Sequence, residues 1–246
     1  HGAMVLPASK GVDLIAGNDG GNYVQHSDDG RFSRNWSEGN QNGFHTLLPY
    51  GVAMAKDRTV WAGLQDNGEM RIDPKTGVQN EVYGGDGVFT LVNPDNADEV
   101  IEEYPGATIS VSKDGGVTWS QMSPFVDDAD FVTSLGQDTN NYKHVVTGGR
   151  QIVETTSWLD TTSNCSKEPG AASTDPTCSD ADTDWKVVYD LGTKSKPGDP
   201  KAEAAKGDPG NHVVALRSRG AAVYAGFCGS CDPVKLHEQF HSGIAT

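Results

Sequence analysis

Three aspartates occupy short glycine-rich turns, each close behind an apolar stretch of the sequence. Asp19 lies in the segment GNDGG, Asp66 in GLQDNG and Asp86 in GGDG. Because the apolar stretches belong to one repeated unit, we expect the three turns to occupy equivalent places and to share one face of the fold. Two carboxylates flanking one glycosidic bond are the acid and base of a glycosidase, and several together also suit Ca²⁺. The alternative is that each aspartate only caps its own turn.

A second group of candidate residues matches the H-E-x-x-H pattern of zinc proteases near the end of the sequence. This segment reads His237-Glu238-Gln239-Phe240-His241. On a helix, its two histidines would share one face for Zn²⁺, with the glutamate as general base. The cysteine- and proline-containing segment 228–233 predicts a loop instead, and no long helical pattern follows. We interpret the match as a surface loop, with a metalloprotease site and adventitious metal binding as the alternatives.

The four cysteines fall into two local pairs, Cys165 with Cys178 and Cys228 with Cys231. An even number in local pairs is typical of disulfides formed in an oxidising compartment. A four-thiolate zinc site and a redox Cys-x-x-Cys are the alternatives. The wide spacing of the first pair disfavours the zinc site, and no βαβ pattern surrounds the second pair. We therefore expect two disulfides and a secreted or extracellular protein.

The charge balance excludes several classes of partner. The 246 residues include 34 Asp and Glu against 19 Lys and Arg, which gives a formal net charge of -15. Such a chain would be repelled by nucleic acid and by anionic membrane surfaces. No apolar run approaches the length of a membrane span, so we expect neither a nucleic-acid partner nor membrane insertion.

A repeated unit organises the elements that must position these residues. Each copy consists of an apolar strand, a polar turn and a second strand that ends in small residues. The five copies begin at Val12, Gly51, Val88, Phe131 and His212. The second, third and fourth copies are separated by about 40 residues, the size of one four-stranded propeller blade. Thirty glycines suit the many tight turns of such a fold, and no segment shows sustained helical periodicity.

One turn carries a recognisable sequence signature. Apolar and β-branched residues lead into the octet SKDGGVTW, in which hydroxyl and carboxylate side chains can hydrogen-bond across a turn and a tryptophan follows. The octet resembles the Asp-box, S-x-D-x-G-x-T-W, of BNR-repeat β-propellers, a group that includes sialidases, xyloglucanases and sortilin-type receptors. The matching positions are Ser112, Asp114, Gly116, Thr118 and Trp119. In these families the Asp-box is structural, so the resemblance predicts architecture more directly than function.

The resemblance extends over nearly the whole chain at blade-like spacing and implies an all-β propeller of four-stranded antiparallel blades. About four to five blades fit in 246 residues, so we expect a partial propeller that associates with missing blades or another chain. The glycine-rich phrases are similar to those of secreted bacterial BNR proteins of the glycosyl-hydrolase type, and xyloglucanases place catalytic aspartates in similar turns. The sialidase arginine signature is interrupted here by Asp73 in the sequence RIDP.

These observations predict a secreted propeller that binds or hydrolyses polysaccharide or glycoconjugate. The alternative is a non-catalytic scaffold for protein or peptide partners, as in sortilin-type receptors. No cofactor is expected to be required, although calcium would fit the three aspartates. Residues 1–4 are interpreted as a cloning scar and 5–246 as the propeller. A disulfide-stapled insertion is predicted at about 155–184 and a polar linker at about 193–211.

Overall fold

The computed structural model describes residues 2–18, 21–32, 47–126, 129–162, 184–205, 210–229 and 242–246. Within these ranges the only helical element is a 3₁₀ turn at Trp158–Asp160, and eighteen strands form five antiparallel sheets. The strands are β1 (Gly2–Pro7), β2 (Val12–Asn18), β3 (Gly21–Ser27), β4 (Pro49–Met54), β5 (Val60–Leu64), β6 (Gly68–Ile72), β7 (Gln79–Tyr83), β8 (Thr90–Asn93), β9 (Asn96–Tyr104), β10 (Thr108–Ser112), β11 (Ser120–Gln121), β12 (Leu135–Gln137), β13 (Val145–Gly148), β14 (Gln151–Thr155), β15 (Lys186–Asp190), β16 (His212–Arg219), β17 (Ala222–Cys228) and β18 (Ser242–Ala245).

Each sheet is a meander in which consecutive strands pair with each other. Blade I contains β1–β3, blade II β4–β7, blade III β8–β11, blade IV β12–β15 and blade V β16–β18. The first strands of neighbouring blades lie together, β4 with β8, β8 with β12 and β12 with β16. This is the arrangement of a β-propeller, in which each innermost strand borders the central axis. The predicted fold of four-stranded antiparallel blades is confirmed, with blades II, III and IV showing all four strands.

The cores lie between the blades. Blade III is buried on both faces because the side chains of β8, β9 and β10 alternate between its two neighbours. One face packs against Trp61 and Ala55 of blade II, and the other packs against Leu135 and Val145 of blade IV. A further cluster joins blades IV and V through Ile152 and Val213, among others. Thin sheets packed face to face therefore account for the low hydrophobic content of the chain.

The predicted strand that begins at Phe131 starts later than expected. Strand β12 covers Leu135–Gln137 only, and Phe131 is exposed. Thr133 bends the preceding chain, because its hydroxyl donates a hydrogen bond to the carbonyl of Asp130 at 2.8 Å. Local hydrogen bonding of this kind competes with strand pairing.

Successive antiparallel strands place their connections alternately at the two ends of each blade. The β5–β6 and β7–β8 connections are therefore at one end of the propeller, which we call the upper face. The β10–β11 connection lies at the opposite end, which we call the lower face. This assignment separates the Gly-rich turns of Asp66 and Asp86 from the Asp-box residues.

Candidate functional site

On the upper face, the turn that holds Asp66 and the connection that holds Asp86 are joined by hydrogen bonds. The amide of Asp66 donates to Oδ1 of Asp86 at 2.9 Å. The amide of Gly68 donates to the carbonyl of Gly85 at 2.7 Å, and that of Gly87 donates to the carbonyl of Leu64 at 2.9 Å. Two segments about twenty residues apart thus form one unit between blades II and III, which we call the upper-face unit.

Glycine makes this close approach of two backbones feasible. Gly68 has φ +66, and a Cβ built there would lie 1.7 Å from the carbonyl oxygen of Tyr83. A Cβ on Gly87 would lie 2.2 Å from the carbonyl oxygen of Gly68. Since real side chains do not tolerate such distances, these two glycines are required by the packing of the turns.

The aspartates of this unit are accessible. Asp66 is exposed and adopts a left-handed backbone with φ 59, whereas Asp86 is half-buried. Beside them, the hydroxyl of Tyr50 donates to Oε1 of Gln65 at 3.0 Å, and the side-chain amide of Asn67 donates to the carbonyl of Gln65 at 2.8 Å. Carboxylate, amide and phenol groups at one surface can hydrogen-bond sugar hydroxyls, and a pair of carboxyls can supply acid and base.

Two of the three predicted catalytic residues are therefore in contact, through the backbone of Asp66 and the side chain of Asp86. The reason for this contact differs from the one we expected. Asp66 follows β5, the second strand of its blade, but Asp86 follows β7, the last strand of the same blade. The expectation that Asp86 occupies an equivalent turn of the next blade is wrong. The two residues share a face because both connections emerge at the same end of blade II. Asp19 lies outside the described residues.

No metal site is evident in the described part of the chain, where no group of three or more His, Cys, Asp and Glu side chains is placed to hold an ion. A calcium site built from Asp19, Asp66 and Asp86 stays a prediction because Asp19 is not among those residues.

Three glutamates that were not among the sequence-predicted site residues lie in the strands next to these turns. Glu69 belongs to β6, and Glu102 and Glu103 belong to β9. All three are fully buried at 0% exposure. Within the part of the chain that the structure describes, neither carboxyl oxygen of any of the three makes a hydrogen bond. The available signal was two acidic residues at the end of the apolar stretch Val100–Ile101, where neither face of a central strand is exposed.

Burial dominates the protonation of these glutamates. It raises the pKa of Glu69 to about 8 and outweighs the opposing effect of the Thr90 hydroxyl. Burial also raises the pKa of Glu102 well above its ordinary value, and the nearby carboxyls of Glu69 and Glu103 raise it further. For Glu103, burial outweighs the favourable approach of Thr133 and of backbone amides, so its pKa is likewise well above the usual range.

The Asp-box residues on the lower face have the opposite environment. The hydroxyl of Ser112 donates to Oδ1 of Asp114 at 2.8 Å and accepts the amide of Gly116 at 2.9 Å. Thr118 donates to Asp114 from its amide at 2.9 Å and from its hydroxyl at 2.6 Å. These contacts, with that of Thr118 foremost, lower the pKa of Asp114 to about 2. The carboxylate therefore closes its own turn.

Trp119 is half-buried rather than fully buried. Its indole N–H lies 3.1 Å from the carbonyl of Gly116 and 3.2 Å from that of Val82. Its ring packs against that of Tyr83, with 4.8 Å between centroids. A similar but smaller turn is formed where the hydroxyl of Ser27 donates to Asp29 at 3.1 Å.

The remaining sequence candidates fall mostly outside the described residues. This is true of Cys165, Cys178, Cys231 and the HEQFH segment, so both disulfide pairings and metal binding stay predictions. Cys228 is described, and it is buried at the end of β17. Trp158, in the predicted insertion, is buried and donates its N–H to Oε2 of Glu99 at 3.0 Å, so it packs against the blade rather than facing solvent.

A third polar cluster, between blades IV and V, has the connectivity of a hydrolytic triad. Nδ1 of His144 lies 3.1 Å from the hydroxyl of Ser218, and Nε2 lies 2.8 Å from Oε2 of Glu154. Ser218 is fully buried at 0% exposure. A nucleophile must reach its substrate, so this network joins two blades and does not form an active site.

Comparisons with known proteins support the fold. No protein-family model matches the chain, and no curated protein sequence matches it. An ancestral GH74 enzyme of known structure has a TM-score of 0.50 at 14% identity, over 98% of this chain and 29% of that one. This chain is thus similar to less than a third of that enzyme's length, and the likeness shows a β-propeller without showing an activity.

Two further solved structures are similar at lower scores. YCF48 bound to D1 peptide has a TM-score of 0.41 at 11% identity, over 94% of this chain and 64% of that one. The GH74 enzyme of Niastella koreensis has a TM-score of 0.30 at 10% identity, over 94% of this chain and 46% of that one. No helix among the described residues is long and apolar enough to cross a membrane.

Proposed function

We propose that this protein is a secreted, glycoside-hydrolase-like β-propeller that binds or hydrolyses polysaccharide or glycoconjugate on its upper face. The observation that carries the proposal is the hydrogen bond from the Asp66 amide to the Asp86 carboxylate, which brings two accessible acidic residues to one place. The resemblance of the Asp-box and of the glycine-rich turns to glycan-active BNR propellers agrees with it.

In this proposal Asp66 and Asp86 are the catalytic carboxyl groups or, without catalysis, the anchors for sugar hydroxyls. Asp86 is held in one orientation by the Asp66 amide, as a residue positioned for proton transfer or nucleophilic attack must be. Asp66 is exposed and sits on a turn that is fixed by backbone hydrogen bonds on both sides. Asp19 is the third predicted member of this face.

The test is a panel of soluble polysaccharides and glycoconjugates assayed for binding and for release of reducing ends. We expect Asp86→Asn to lower hydrolysis by about 100-fold or more, as removal of a general acid or base does. If the site only binds, we expect an affinity loss of roughly tenfold, equivalent to one hydrogen bond to a charged group. Asp66→Asn is expected to act in the same direction.

Asp95→Asn is the matched control. Asp95 is an exposed aspartate in the β8–β9 turn of the lower face, where it pairs with Lys56 at 2.6 Å. Losing an exposed ion pair has little effect on stability, so this variant is expected to match the wild type. Unchanged binding and hydrolysis in both Asp66→Asn and Asp86→Asn would place the glycan site elsewhere.

The hydrolysis assay also tests whether a cofactor is required, and a thiol titration tests the location. We propose that no cofactor is required, so activity after treatment with EDTA should equal that before it. Recovery of lost activity by Ca²⁺ alone would instead favour the calcium site predicted at the three aspartates. Location outside the cell rests on the two predicted disulfides, and thiol titration of the unfolded, unreduced protein is expected to find no free thiol.

A protein or peptide ligand is the second candidate, and a cavity at the central axis favours it. The inner strands line a cavity of about 540 Å³. Val52 and Met54 of β4 are among the lining residues, and each is 63% exposed. Exposed apolar side chains around a cavity are typical of a peptide-binding surface. Val52→Asp is expected to abolish peptide binding while leaving glycan binding intact, and the opposite pattern would reject this candidate.

A further inference from the structure

The buried glutamates lie at the joint between blades II, III and IV. Strand β9 directs Glu102 toward blade II and Glu103 toward blade IV, since successive side chains of a strand point to opposite faces. Glu102 lies near Glu69 of blade II, and Glu103 lies near Thr133, which leads into blade IV. Six carboxyl oxygens are thus enclosed at two adjacent blade interfaces, and they form no hydrogen bonds to the described residues.

The residues paired with Glu69 and Glu102 on the neighbouring strands carry no positive charge. Glu69 pairs with Gly63 of β5 and Tyr83 of β7, and it is approached by Thr90 of β8. Glu102 is flanked by Thr90 on β8 and by Ser110 on β10. Ser110 lies 3.3 Å from the Tyr83 hydroxyl. The other charged and titratable groups on this face of these strands are Tyr83 of β7, Arg71 of β6 and Asp98 of β9, and Arg71 pairs with Asp98 at 2.8 Å rather than with a glutamate.

Glu103 has similar surroundings. It is approached by the hydroxyl and amide of Thr133 and by the amides of Phe89 and Ala107, although none of these makes a hydrogen bond of ordinary geometry. Among the described residues, none of the three glutamates forms an ion pair with Lys, Arg or His. An ionised carboxylate in such surroundings is strongly destabilising, whereas a neutral carboxyl is tolerated.

Backbone contacts connect the glutamates to the upper face. Glu69 directly follows Gly68, whose amide binds the Asp86 connection. The carbonyl of Glu103 accepts the amide of Val88 at 2.8 Å, and the amide of Glu103 donates to the carbonyl of Phe89 at 2.8 Å. Val88 and Phe89 follow Asp86 closely in the chain. A displacement of β6 or β9 would therefore be transmitted to both turns.

We propose that Glu69, Glu102 and Glu103 form a proton-dependent joint between blades II, III and IV. The joint holds the blades together when the glutamates are protonated, and it loosens the upper-face unit when they lose their protons. The joint itself stands independently of the proposed function, and only its effect on glycan binding rests on it. Acidic conditions therefore favour tightly packed interfaces between blades II, III and IV, and mildly alkaline conditions favour loosened ones.

The direction follows from linkage between proton binding and folding. A carboxyl whose pKa is higher in the folded state than in the unfolded state binds its proton more tightly when folded. Its stabilising effect is complete below about pH 4.5, the ordinary value for Glu69, and is lost as the pH rises through about 8. Ionisation of Glu69 would therefore lower the folding equilibrium constant over this interval.

Urea unfolding of the full chain at about pH 5, 7 and 9 tests the joint without any ligand. We expect the midpoint of the wild type to fall steadily as the pH rises. Glu69→Gln keeps the shape of a protonated glutamate and cannot ionise, so we expect its midpoint to fall much less. Glu81→Gln is the matched control, because Glu81 is an exposed glutamate on the neighbouring strand β7. Its midpoints should follow those of the wild type.

A second measurement covers the case in which Glu69→Gln does not fold. Infrared spectra of the wild type should show protonated carboxyl groups at about pH 6, where exposed carboxylates are ionised. Amide hydrogen exchange in β6 and β9 should increase between about pH 6 and pH 9 by more than the intrinsic base-catalysed change.

Three results would overturn the proposal. One is a wild-type midpoint that stays constant or rises with pH. Another is an equal fall in wild type and Glu69→Gln. The third is recovery of the wild-type midpoint at about pH 9 on adding Ca²⁺ or Mg²⁺, which would make the glutamates a cation site instead. If the joint behaves as expected but no glycan binds, the proposed function fails while the joint remains.

Discussion

The upper-face unit and the Asp-box turn use acidic residues in opposite ways. Asp114 of the Asp-box is exposed, and its carboxylate is bound by the neighbours Ser112 and Thr118. Glu69, next to the upper-face turns, is buried and has no hydrogen-bond partner among the described residues. The first carboxylate stabilises its turn in the ionised form, and the second carboxyl stabilises the fold in its neutral form. Ionisation therefore has opposite effects at the two sites, because it stabilises the fold at Asp114 and destabilises it at Glu69.

The two regions are also connected through one residue. A side chain on Gly68 would collide with the carbonyl of Tyr83. The ring of Tyr83 packs on Trp119 of the Asp-box. The Asp-box of blade III thus supports the outer strand of blade II, whose following connection holds Asp86. Substitutions in the two regions can be compared because both regions contribute to the interface between blades II and III.

Of the changes made within the two compared regions, the largest effect is expected from Gly68→Ala, which breaks the upper-face unit. The new Cβ would meet the Tyr83 carbonyl, and the residue would have to keep φ +66. We expect a loss of about 3 kcal/mol in unfolding free energy, measured by urea denaturation.

Gly77→Ala is the control for this change. Gly77 has φ +69 and no neighbour within 4 Å of an added Cβ, so its cost should be only about 1 kcal/mol. Equal losses for the two variants would show that the close packing of the upper turns contributes nothing beyond backbone conformation.

A smaller effect is expected from Trp119→Ala, which removes the aromatic anchor of the Asp-box. Because Trp119 is only half-buried, we expect a loss of about 2 kcal/mol. Trp61→Ala, which empties a fully buried site in the same interface, should cost about 3–5 kcal/mol. Denaturation curves for both variants decide the order, and a larger loss for Trp119→Ala would make the Asp-box the main anchor of this interface.

The smallest effect on stability at neutral pH is expected from Asp114→Asn. This substitution changes how stability depends on pH under acid conditions. The folded-state pKa of Asp114 is about 2, below its ordinary 3.8. Its ionised form therefore stabilises the fold above about pH 4, and this contribution is lost as the pH falls through about 2. Thermal melts over this range should show a steeper loss in the wild type than in Asp114→Asn. Parallel curves would mean that the carboxylate is not held by its turn.

The same contrast explains what the sequence could and could not predict. The contacts of Asp114 reach two and four residues along the chain, so spacing alone predicts them. The blades were predictable because strand and turn patterns repeat at about 40 residues. The contact between Asp66 and Asp86 depends on where two connections emerge from blade II, and the isolation of Glu69 depends on strands from another blade. Such contacts are set by tertiary packing and leave no local pattern.

The most direct test of this contrast is an NMR titration of the side-chain carboxyl carbons in the intact protein. The expected result is that Asp114 titrates at about 2 and Glu69 at about 8, in one sample. Titration of both groups near their ordinary values of 3.8 and 4.5 would contradict the account, because neither the bound carboxylate nor the isolated buried carboxyl would then exist in solution.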